Sequence, residues 1–194
     1  MRTKSLLKIA LAAAGMMYGA SVFAAGTTPT SGPFGTGKIT FTGTITNSPC
    51  DIAPGDDAIA VPLGQISYRH LKAADDVSDS KPFTIHLQNC AFDPDDATTN
   101  KNPIGKMSKV TVSFLGNADA NNKGYVNTGN AQDVAVQLLK SDNHSILAPN
   151  TDADTQQLQT GNNELNFFAR VVVLGTNVSP GTVESTVTYT LKYL

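Results

Sequence analysis

The sequence predicts an all-β sandwich, and three observations lead there. Runs of period-two alternation recur along the chain and are rich in Val, Ile, Thr and Phe. Clusters of Gly, Asn, Asp and Pro separate them at short intervals. No heptad or tandem repeat interrupts the pattern.

The opening segment belongs to export and not to the fold. Arg2, Lys4 and Lys8 precede an apolar run from Ile9 to Met17, and Val22-Phe23-Ala24 supplies small residues at a cleavage position. This order describes a secretory signal peptide spanning residues 1–24. A membrane anchor needs about 20 continuous apolar residues, whereas Gly15, Gly19 and Ser21 break this run. Cleavage after Ala24 leaves 170 residues, enough for one domain with its own core. It also leaves 11 basic residues against 16 acidic ones, a net charge of −5, which argues against nucleic-acid binding.

Residues 25–36 are rich in Gly, Pro, Thr and Ser and read as a loose leader. The alternation begins at residues 37–46, where Gly37, Ile39, Phe41, Gly43 and Ile45 share one face and Thr40, Thr42, Thr44 and Thr46 the other. Such a segment needs a pairing partner, in its own domain or in a neighbouring copy. The domain then begins near residue 47. Residues 49–52 and 58–63 read as short strands split by a turn at residues 54–57. A polar stretch over 68–80 has room for one helical turn at residues 71–74. Residues 83–90 alternate, with Phe83, Ile85 and Leu87 on one face.

Residues 91–109 read as a long surface loop. Asp93, Asp95 and Asp96 lack the alternating ligands, central Gly and terminal Glu of a calcium-binding EF-hand loop. Strands follow at 110–114, 134–139, 146–147 and 163–174, with a Gly/Asn/Asp-rich connection at 115–130. The last segment alternates to the chain end. Val183, Ser185, Val187, Tyr189, Leu191 and Tyr193 share a face, and a terminal strand this regular is expected to be held on both sides.

Cys50 and Cys90 are the only cysteines. In an exported chain an even count implies a disulfide, and two cysteines allow one intramolecular pairing. Closing a loop of about 40 residues contributes roughly 4 kcal/mol on the chain-entropy view. No cofactor or metal is implied, since His70, His86 and His144 form no ligand-spaced pair. Nor does any GxSxG or HExxH motif point to an enzyme.

Taken together, GKITFTGTITNSPC at residues 37–50, the Cys50/Cys90 pair and LGQIS at residues 63–67 form a recognisable set. So does a C-terminal segment with Gly181 fourteenth from the end and Tyr193 penultimate. The chain resembles the structural pilin subunits of chaperone–usher fimbriae, close to the shaft subunits of type 1 and P-type fimbriae. One departure is the terminal Leu194, where shaft subunits often end in a polar residue.

The resemblance implies an incomplete immunoglobulin-like sandwich, lacking its seventh strand and completed by a donated one. It implies a periplasmic chaperone that lends a strand first, an outer-membrane usher, and other pilin subunits as partners in a surface fimbrium. On this resemblance Gly37, Ile39, Phe41, Gly43 and Ile45 are the donor-strand positions, with the division near Gly43 or Ile45. Gly181, Val183, Val187, Tyr189, Leu191 and Tyr193 match the C-terminal strand that meets the chaperone. A single-domain adhesin or tip adaptor, binding a host receptor through the loops at 91–109 or 116–130, is the alternative.

Overall fold

A computed structural model describes residues 35–95 and 103–194; the expected signal peptide, most of the leader and the middle of the 91–109 loop lie outside the described residues. Residues 45–194 form one compact unit, and residues 35–44 belong to a separate one.

The compact unit is built from two antiparallel sheets. The larger has the order β1 (Asp51–Ile52), β2 (Lys81–Cys90), β8 (Gly161–Val173), β5 (Val134–Leu139) and β4 (Tyr125–Val126), with β6 (Ile146–Leu147) also on β5. The smaller has the order β7 (Gln156–Gln157), β3 (Lys109–Gly116) and β9 (Val187–Tyr193). Alternation aims one side of each strand inward. Ile85, Leu87, Leu165, Phe167 and Ala169 from the larger sheet meet Val110, Val112 and Phe114 from the smaller one, all buried. Phe83, Phe114 and Phe167 form the aromatic centre, with ring centroids 5.0–5.9 Å apart.

The strands expected at residues 83–90, 110–114, 134–139, 146–147 and 163–174 are present within a few residues of those bounds. The short β4 and β7 were not expected, because neither has enough residues to establish a period. Four other expectations need correction.

Residues 83–90 do not alternate without a slip. Clean alternation would turn Cys90 away from Phe83, Ile85 and Leu87. A register shift lies between Leu87 and Cys90, where Asn89 takes a left-handed backbone (φ 54°). This bulge turns Cys90 back inward. There it bonds to Cys50, whose Cα is 4.1 Å away.

Residues 58–63 form no ladder. They run extended after a 3₁₀ turn at Asp56–Ala58, with Ile59, Val61 and Leu63 half-buried between exposed Ala60, Pro62 and Gly64. The alternation is that of a strand, but no ladder pairs it among the described residues. The helical turn expected at 71–74 falls instead at Tyr68–His70, again a 3₁₀ turn. Leu71 leaves it to become buried against Val134, Val171 and Val173.

The C-terminal ladder begins at Val187 and not at Val183, and it is held on one side only. Strand β9 pairs with β3 and is the edge of its sheet. Burial nonetheless alternates from Val183 to Tyr193 as the sequence pattern requires.

Candidate functional site: an open groove between two unpaired edges

The free edge of β9 and the unpaired residues 58–66 face each other across a cavity of about 1670 Å³. Small-molecule pockets measure about 300–1,000 Å³, so this one is of a size for a chain segment. Ile59, Val61, Leu63 and Ile66 line one rim, and Val183, Ser185, Val187 and Tyr189 the other. The floor is apolar: Phe83, Ile85, Phe114, Leu138, Ala169 and Val171.

Both rims present backbone as well as side chains. Lys109 and Leu194 exchange both of their backbone hydrogen bonds, at 3.2 and 2.8 Å. In an antiparallel ladder such pairs recur at every second residue, so Lys192, Thr190 and Thr188 also bond toward β3. Upstream the same parity holds, with the carbonyls of Thr182 and Glu184 accepting from Ala131 and Thr128. The N–H and C=O groups of Val183, Ser185, Val187 and Tyr189 therefore point into the groove. Opposite them, residues 59–66 make no backbone hydrogen bond among the described residues. A sheet edge of this kind is a template for an added strand.

The groove also divides the core. Val183, Ile66 and Val178 pack with Leu71, Val134, Val171 and Val173, while Val187, Tyr189, Ile59 and Val61 pack with the aromatic cluster. Leu63 touches both groups.

One end is fastened across. Tyr189 donates its hydroxyl to the Asp56 carbonyl at 2.9 Å. The Asp56 carboxylate accepts from the His86 backbone N–H at 2.5 Å and lies 2.9 Å from its Nδ1. The bond from the His86 backbone holds the Asp56 carboxyl below the usual carboxylate range. Burial pushes the Tyr189 phenol up, and the nearby Asp56 and Asp57 charges push the same way. His86 is exposed on β2, and its grip on Asp56, 30 residues away, leaves no spacing signal in the sequence.

At the other end Gly181 lies outside β9. A Cβ there would stand 2.4 Å from the Ala131 nitrogen and 2.6 Å from the Asn130 carbonyl carbon. Its glycine lets residues 181–184 press against 127–131, where Asn127, Thr128, Asn130 and Ala131 bond to Thr182 and Glu184. Leu191 and Tyr193 continue the inward row beyond the groove and pack on the aromatic cluster.

Residues 35–46 form no ladder. Ile39, Phe41 and Ile45 are 78%, 88% and 102% exposed, and no atom lies within 4 Å of where a Cβ would stand on Gly37 or Gly43. Three large apolar side chains so exposed within seven residues have no apolar cover among the described residues.

The family model described as fimbrial protein matches residues 39–194. Long polar fimbria protein A of Salmonella typhimurium is 32% identical over 82% of this chain and 84% of its own length. Fimbria A protein of Serratia marcescens is likewise 32% identical, over 82% of this chain and 85% of its own. Among solved structures, a chaperone–usher pilus subunit superimposes with a TM-score of 0.66 at 24% identity, covering 84% of this chain and 99% of that one. The P pilus rod subunit gives 0.60 at 22% identity, covering 76% and 100%. At such identities these two likenesses speak to the fold alone.

Proposed function

The chain belongs to the fimbrial protein family and is a structural pilin subunit, and from that premise we propose that its groove receives the 37–45 segment of a neighbouring copy. The observation that carries the reading is the match between two incomplete surfaces. The groove offers two rims with unpaired backbone above an apolar floor. The segment offers an exposed backbone and one apolar row, Ile39, Phe41 and Ile45. Strand addition would satisfy both at once. Full burial of those three side chains would contribute about 5–9 kcal/mol per junction as an upper range, with the backbone ladder in addition.

An empty groove of this kind is an aggregation hazard in transit. A periplasmic chaperone covering it, with Val183, Val187, Tyr189, Leu191 and Tyr193 along the contacted edge, fits that need, as does delivery to an outer-membrane usher. Gly43 interrupts the apolar row where the entering backbone comes close to the floor.

Two variants of the full chain test the reading. Removing residues 25–43 should give a folded subunit that does not extend a fibre. Appending a second copy of residues 37–46 after Leu194 through a flexible linker should fill the groove in cis and yield a monomer stable without a chaperone. Polymerisation of the first, or continued dependence of the second, would refute it.

A further inference from the structure

Residues 25–49 contain one charged residue, Lys38, directly ahead of Ile39. Lys38 is exposed and makes no hydrogen bond or ion pair among the described residues. The two ends of the groove differ in charge. At the Tyr189 end Asp57 lines the wall, exposed and without hydrogen bond or ion pair among the described residues. Its neighbour Asp56 is already engaged by His86, and Lys192 stands on the outer side of β9. At the Val183 end Arg69 lines one rim with His70 beside it, and Glu184 lies on the facing rim.

We propose that Lys38 of an entering copy pairs with Asp57 of the receiving copy and so fixes which way round the segment enters. The inference rests on the groove being the seat of a neighbour's segment, and it names the residues that read its polarity. With Lys38 at Asp57 the segment runs antiparallel to β9. The row Ile39, Phe41, Gly43 and Ile45 then meets Tyr189, Val187, Ser185 and Val183. Both rows span the same six residue steps, about 20 Å of strand. Reversed, the segment would bring Lys38 to the end where Arg69 stands across from Glu184 and offsets its charge. A pair at the rim acts on the rate of entry and its salt dependence. For an exposed pair the effect is up to about fivefold.

The test measures the entry rate of a fluorescent peptide of residues 35–47 into the full chain at low salt. Peptides with Lys38 and with Lys38→Glu are each run against the unaltered protein and its Asp57→Lys and Glu184→Lys variants. The expected result is a two- to fivefold slowing for either change alone at Lys38 or Asp57, recovery when both are swapped, and loss of the difference at high salt. Equal rates in every combination, with the unaltered peptide entering, overturn the pairing while leaving the groove reading intact. Recovery with Glu184→Lys in place of Asp57→Lys reverses the polarity. Failure of the unaltered peptide to enter at all removes the groove reading, and this inference with it.

Discussion

Asp142 holds the turn between β5 and β6. Its carboxylate accepts from the Ser145 hydroxyl at 2.5 Å and from the backbone N–H of His144 and Ser145 at 2.9 and 2.8 Å. The Ser145 hydroxyl chiefly, with these N–H groups, lowers its pKa from 3.8 to about 2. A depressed carboxylate stabilises the fold above its unfolded value and loses that contribution as pH falls through the folded one. Denaturant midpoints should therefore decline between pH 3.8 and about 2, and Asp142→Asn should flatten that part of the decline. An unchanged acid profile would show the turn to be held without the charge. Tyr189→Phe removes the bond to the Asp56 carbonyl and should lower stability by about 0.5–1.5 kcal/mol in urea titration. An unshifted midpoint would mean that water replaces the phenol at no cost. Asp142, Ser145 and His86 carry no period or spacing signal in the sequence. What each one touches depends on the folded path of a distant segment or on local turn geometry, and neither leaves a period to read.

The long strands carried their own evidence. In β8 the inward row Leu165, Phe167, Ala169, Val171 and Val173 is buried as its alternation requires. Residues 58–63 carry the same alternation yet lack a ladder, because hydrogen bonding needs a neighbour and periodicity reports only on burial. The bulge at Asn89 was hidden for a related reason: one inserted residue resets the face without changing composition. Gly181 was legible by its place in the C-terminal segment, and its physical role is the close approach to residues 130–131. Gly181→Val should force these backbones apart and cost about 1–3 kcal/mol. It should also loosen the bonds from Thr128 and Ala131 to Glu184 and Thr182, seen as faster exchange of the Thr128 and Ala131 amides. Full retention of their protection would count against that role.

At the scale of the whole molecule, the resemblance to pilin subunits already implied one strand too few for the apolar faces to be covered. The groove is where that shortage falls. Its inner backbone parity is the most specific consequence: from residue 183 to 189, odd-numbered groups face the opening and even-numbered ones face their own sheet or the 127–131 segment. Amide hydrogen exchange, resolved by residue, reads this directly. In the free subunit Thr188 and Thr190 should be protected while Val187 and Tyr189 exchange fast. In the fibre all four should be protected. Protection of Val187 and Tyr189 before assembly, or their continued fast exchange after it, would contradict the account of a groove filled by a neighbour's strand.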